Sequence, residues 1–243
     1  NDALPCPNAI AISWFASRFN QALAEIEDNF NQYRLSEALM TIYKLVWDDF
    51  CAWYLEMVKP SYKQPIDGET YTQTLGFFED ILKLLHPFMP FITEELWHDD
   101  IFGERDLYDC CIVAKMPESG EIISQAVNDM EVVKQLIAEI RNIRNIKKIS
   151  PKEALPLAIK TNSGIDYQLY QSIICKLGNI SGIEFAANKA AGATSFLVQT
   201  DEFFIPMGQH IDVEAETEKL QKEMEYLQGF LKSVSAKLAN ERF

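Results

Sequence analysis

Few residues able to carry chemistry stand at spacings in this chain that would let them act together. Glu94 and Glu95 come shortly before His98, so Glu94 and His98 share one helical face as an acid–imidazole pair. Acids near the positive end of a helix are stabilising by themselves, and a solvated helix start explains this group more simply than acid–base catalysis. Asp48 with Asp49 and Asp99 with Asp100 are carboxylate pairs of the kind that hold metals, but adjacent residues point in different directions around a helix. Surface solvation is the preferred reading of both. His86, His98 and His210 lack partners at metal-ligand spacing, so no metal is expected. The sequence contains no nucleophile elbow, Walker A loop, glycine-rich dinucleotide fingerprint or zinc-protease motif, and no catalytic residue is assigned.

The cations are more informative. Arg141, Arg144, Lys147, Lys148 and Lys152 fall within twelve residues, and Arg141, Arg144 and Lys148 share one helical face. Such a stripe suits nucleic-acid phosphates, which position a ligand without reading its sequence. It is equally the solvated face opposite the apolar stripe Val133, Leu136, Ile137 and Ile140. Trp14, Arg18 and Asn20 bring a stacking ring, a cation and an amide together at the start of a helix, a set suited to single-stranded bases. Trp14 and Phe19 also fit a core.

The elements that must position these groups are mostly helices. Between Ala9 and Met57, Ile12, Phe15, Phe19, Leu23 and Ile26, then Leu35, Leu39, Ile42, Val46, Phe50, Trp53 and Met57 recur at helical spacing and predict two long antiparallel helices. Pro60 ends the second, and the Pro65–Gly68 turn leads to a third from about Glu69 to Leu85. Pro87 then disfavours the α region for His86, and Pro90 suits the first turn of a fourth helix. This corner is expected to turn Phe88, Phe91 and Trp97 into a bundle core, with Ile92 and Leu96 also able to face it.

After Gly103 the period changes, and Cys111–Ala114 reads as a short strand. A helix over 122–146, a strand over 155–159, a weaker helix over 165–177 and three strands over 182–186, 195–200 and 202–205 follow. Val213, Leu220, Met224, Leu227, Leu231, Val234 and Leu238 form a heptad seam, which one helix cannot bury alone. Either a second copy or a return helix beyond Phe243 must cover it. The expected class is therefore mainly α: a helix bundle (1–118), a small α+β unit (119–208) and the first helix of a coiled-coil arm (209–243).

A 48% hydrophobic content with 12% aromatics is ample for a core, and no apolar run is long enough to span a bilayer. The five cysteines are odd in number and form no C-x-x-C, so they read as free thiols. The net charge of −14 is unevenly spread: residues 1–120 hold 8 basic and 20 acidic side chains, residues 121–208 hold 9 of each, and residues 209–243 hold 5 and 7. A polyanion would have to be met by local clusters or by the middle segment.

The run from His86 to Trp97, HPFMPFITEELW, closely resembles the corner of the anticodon-binding domain in class I aminoacyl-tRNA synthetases of the valine and isoleucine group. Ile12–Asn20 resembles the W-x-x-S-R-[LF]-N helix start of the bacterial valine branch, and Val46–Pro60 its W-x-E-F-C-D-W-Y segment. Arg141–Arg144 with Ile149–Pro151 is similar to its R-x-x-R…I-S-P linker. Ile211–Glu216 with Lys237–Phe243 is similar to the ends of the first strand of its C-terminal arm.

The resemblance implies a tRNA-recognition piece, without the catalytic and editing domains, of a ligase that joins valine to its tRNA. ATP and Mg would serve the whole enzyme, and no cofactor is expected in this piece. Its implied partners are a tRNA specific for valine and the catalytic domain of the same enzyme, with no membrane and a cytoplasmic location. Self-association through the unpaired seam would be non-native. Arg18, Asn20, Arg34 and Lys44 are then candidates for the anticodon, with Trp14 as the stacking ring and Arg141, Arg144 and Lys148 for backbone phosphates. The competing reading is a protein-interaction module that uses the heptad helix and no nucleic acid.

Overall fold

The computed structural model describes residues 7–106, 108–185, 193–206, 221, 224–232 and 234. It is mainly helical with one small sheet, and it divides into two compact units. The first comprises residues up to Ile140 together with Gly164–Asn179, and the second comprises Arg141–Ser163 with the residues from Ile180 on.

In the first unit, helix α1 (Ala9–Asn31) runs into a turn in which Tyr33 takes a left-handed φ of 58°. From Leu35 to Val58 the chain stays helical through α2 (Leu35–Lys44), a π-helical segment (Leu45–Tyr54) and α3 (Leu55–Val58). This matches the two long helices read from periodicity, but the π turns take an extra residue each and rephase the second. Ala38, Thr41, Ile42, Leu45, Asp49, Phe50, Tyr54, Met57 and Val58 are the buried positions, while Leu35 and Leu39, expected in the stripe, are 53% and 40% exposed. Phe15 anchors the core, stacked on Tyr54 at 4.8 Å between ring centroids and meeting Phe77 edge-on at 4.9 Å.

Helix α4 (Gly68–Leu85) is capped by Asp67, whose carboxylate accepts the Thr70 N–H at 2.8 Å. The corner after it differs from expectation. His86 is helical, with φ −54°, and its N–H reaches Leu82 O at 2.9 Å. Phe88 and Met89 both donate to Leu85 O at 2.9 Å, so Pro87 forfeits only its own bond and the chain breaks at Met89 instead. Pro90 does begin α5 (Pro90–Trp97). Thr93, whose Oγ1 lies 2.8 Å from both Met89 O and His86 Nδ1, fixes the rotation of α5. Thr93 and Trp97 therefore point inward one turn apart, and Phe91 and Ile92 are left 91% and 51% exposed rather than in the core. Phe88 is half-buried against Phe30, and Leu96 packs on the cluster of Leu82, Trp97 and Cys111.

The strand expected at Cys111–Ala114 is a single 3-10 turn, Cys111–Val113, following another at Asp100–Phe102. Its Cys111 N–H donates to Glu94 Oε1 at 3.0 Å, which satisfies it without a neighbouring strand. Helix α6 (Ser124–Ile146) follows, and α7 (Gln171–Gly178) is shorter than expected, with Lys176 Nζ donating to Met57 O at 2.7 Å.

The second unit holds a four-stranded sheet, β1 (Leu155–Lys160), β2 (Ile180–Phe185), β3 (Ala193–Val198) and β4 (Asp201–Pro206), in the order β2-β1-β4-β3. β1 and β2 are parallel and the other pairs antiparallel, and the β3–β4 turn sets Gln199 at φ 52°. The fully buried Asp201 accepts the Ser163 N–H at 2.7 Å and the Asn162 N–H at 2.5 Å, tying the end of β1 to that hairpin. Residues 224–232 and 234 are helical, and Met224, Leu227, Leu231 and Val234 of the seam are exposed. Val213, Leu220, Leu238, the two arm motifs, His210 and Cys6 lie outside the described residues. Among the described residues, no helix is long and apolar enough to cross a membrane.

Candidate nucleic-acid interface

Trp14 lies on the inner face of α1, where Phe15 and the aromatic core exclude it from solvent completely. Lys134 Nζ sits 4.6 Å from the centre of its ring, so the face on which a base would stack is occupied by a cation of the same unit. Arg18, one turn on, donates from Nε to Asp49 Oδ2 at 2.9 Å, and Lys134 Nζ reaches the other oxygen at 3.1 Å. Asp49 thus binds α1, the π-helical segment and α6 through one carboxylate. Asn20 is engaged on another side of α1, its amide donating to Glu121 O at 2.9 Å and accepting the Gly120 N–H at 3.1 Å. The trio that suggested base recognition is internal wiring of the bundle.

Arg144 also turns inward. It is 6% exposed and donates from Nη1 to Ser150 O at 3.2 Å and Glu153 O at 2.8 Å, holding the segment that follows α6. Burial lowers the pKa of its guanidinium, opposed by the charge of Glu153. The basic stripe is therefore broken in the middle, with Arg141 and Lys148 exposed on either side and Lys148 in a left-handed turn at φ 53°.

Arg34 and Lys44 remain on the surface, and the structure sets aromatic side chains around them. Tyr33, in the turn before α2, is 90% exposed, and Tyr43 and Trp47 are 54% and 62% exposed. The rings of Tyr43 and Trp47 lie 11° from parallel with centroids 6.5 Å apart. Tyr43 and Trp47 with the neighbouring Lys44, and Tyr33 with Arg34 at the start of α2, are pairings of open aromatics and cations able to stack on unpaired bases while meeting the adjoining phosphates. The acids Glu37 and Asp48 are exposed on the same elements, so the face is close to neutral and stacking outweighs charge there. Sequence reasoning missed it because Tyr43 and Trp47 sit within an apolar run. Their outward turn follows from the packing of α2 on the side of Ala38, Thr41 and Ile42, a choice of face that period alone does not make.

A family model for the anticodon-binding domain of tRNA ligases matches residues 13–159. The chain is 49% identical, over 99% of its own length, to a valine–tRNA ligase of Parabacteroides distasonis, of which it covers 27%. Over 96% of its length it is 44% identical to the valine–tRNA ligase of Christiangramia forsetii, covering 26%. The similarity extends to that of Dechloromonas aromatica, 32% identical over 98% of the chain and 26% of the relative.

Proposed function

The chain belongs to the anticodon-binding domain family of tRNA ligases, and from that membership we propose that it is the tRNA-reading part of a valine–tRNA ligase. The observation that carries the reading is the exposed aromatic and cationic face running from Tyr33 to Trp47. Tyr43 and Trp47 stack on splayed bases of the anticodon loop, and Arg34 and Lys44 meet the flanking phosphates. Arg141 and Lys148 contact tRNA backbone elsewhere, and the helical residues 224–232 and 234 belong to an arm that leans on the tRNA elbow. ATP, Mg and the steps that join valine to tRNA reside in the rest of a cytoplasmic enzyme of which this chain is a part. A protein-interaction module with no nucleic acid is disfavoured, since the family model covers the bundle itself.

The test is a titration of the chain into a valine-tRNA anticodon stem-loop carrying a fluorescent base in the loop. Stacking quenches the base. Trp47→Ala is expected to weaken binding by about 5- to 100-fold, the range for one lost base stack. Unchanged affinity in a variant that keeps its helical circular dichroism would overturn the assignment of this face.

A further inference from the structure

His98 Nε2 lies 3.4 Å from Glu94 Oε1, and the thiol of Cys110 completes a group whose three ligand atoms all fall within 4.8 Å of one another. The three come from two places in the chain. Glu94 and His98 stand one turn apart at the end of α5, and Cys110 immediately precedes the 3-10 turn Cys111–Val113. With Phe91 and Ile112 they line an open cavity of about 590 Å³. His86, whose Nε2 is buried without a hydrogen-bond partner, lines it too.

A tetrahedral ion holding nitrogen and oxygen at about 2.0–2.1 Å places those two atoms about 3.3–3.4 Å apart, and a thiolate at about 2.3 Å stands about 3.6 Å from each. The Glu94–His98 separation already has this value. The two edges to the sulfur are each within 4.8 Å, so closing them takes a side-chain movement of no more than about 1 Å on the scale of those bond lengths. The ligand oxygen is itself positioned, because the Cys111 N–H donates to Glu94 Oε1, the kind of outer hydrogen bond that orients a metal ligand. One oxygen, one imidazole nitrogen and one sulfur suit zinc and its borderline-soft neighbours and do not suit magnesium or calcium, which take oxygen.

We propose that Glu94, His98 and Cys110 bind one zinc-class divalent ion, with water in the fourth position, and so clasp the Cys111–Val113 turn to α5. The test uses the full chain, stripped with a chelator and titrated with Co²⁺ and then Zn²⁺. One Co²⁺ per chain is expected, with visible bands of tetrahedral cobalt and a thiolate charge-transfer band that Zn²⁺ bleaches. Cys110→Ser removes that band, and His98→Asn weakens binding at least about tenfold, as even a lost outer-shell partner does. Cys51→Ser, at an exposed thiol on another element, leaves both unchanged. A second readout needs no variant: Zn²⁺ shields Cys110 of the unmodified chain from alkylation while Cys51 still reacts. Absence of a saturable cobalt band, a band that survives Cys110→Ser, or alkylation of Cys110 unaffected by Zn²⁺ would each overturn the site.

Discussion

Asp49 shows how far a residue's role depends on what surrounds it. In sequence it is half of an acidic pair with Asp48, and in the fold it is 7% exposed between Arg18 and Lys134 while Asp48 faces solvent. Asp49→Ala takes the carboxylate from Arg18 and leaves Lys134 with Glu131, and a loss on the order of 3 kcal/mol in urea unfolding is expected, as for a broken buried pair. Asp48→Ala should change stability by less than about 0.5 kcal/mol. Tyr170 carries a second residue-level consequence. Its hydroxyl donates to Asp129 Oδ2 at 3.4 Å, and burial first, then the charge of Asp129 and that hydrogen bond, push its phenol from the usual value near 10 up to about 12. The folded chain keeps a proton that the unfolded chain releases, so this stabilisation is whole below pH 10 and is lost as the pH rises towards 12. Melting temperatures measured across that window should fall in the native chain and fall less steeply in Tyr170→Phe.

The π-helical segment is the element on which the aromatic core of the first unit turns. The α-helical α2 buries Ala38, Thr41 and Ile42 and leaves Leu39 and Tyr43 outside; continued at 3.6 residues per turn it would carry Tyr54 away from that face, whereas the π turns keep Leu45, Phe50 and Tyr54 buried. Tyr54 is fully enclosed, stacked on Phe15, with its hydroxyl 2.9 Å from Thr74 Oγ1. Thermal unfolding should therefore show Tyr54→Ala costing about 3–5 kcal/mol, in line with other buried aromatics. Trp47→Ala should cost less than about 0.5 kcal/mol. Equal costs for the two would contradict the π register. The corner at Pro90 teaches the same lesson: its prolines mark where one helix yields to the next, but the Thr93 hydroxyl decides that Trp97 faces inward and Phe91 outward.

For the whole molecule, charge sets the ceiling on binding. Residues 1–120 combine 8 basic with 20 acidic side chains, and Arg34, Lys44, Arg141 and Lys148 are the site candidates that stay exposed. Four phosphate contacts correspond to a slope of log affinity against log salt of about −3 for single-stranded RNA. Filter binding between low and physiological salt should return a slope no steeper than this. A dissociation constant weaker than about 1 μM at physiological salt is expected, in the range of non-specific electrostatic binding. Tight, salt-insensitive binding would mean that contacts other than these carry recognition.

The existence and order of the helices, the proline at the start of α5, the small sheet and the likeness to anticodon-binding domains were legible in the sequence, because apolar period, turn residues and motifs act locally along the chain. The orientation of side chains within those elements was not. Trp14, Arg18, Asn20 and Arg144 have the right chemistry for RNA, yet packing spends them on Lys134, Asp49, the Gly120–Glu121 backbone and the carbonyls of Ser150 and Glu153. The π turns carried Tyr54 onto the buried face, and Cys110 joined Glu94 and His98 only through the turn that follows α5. Those choices belong to tertiary structure, because a side chain's function depends on which groups from distant parts of the chain reach it first.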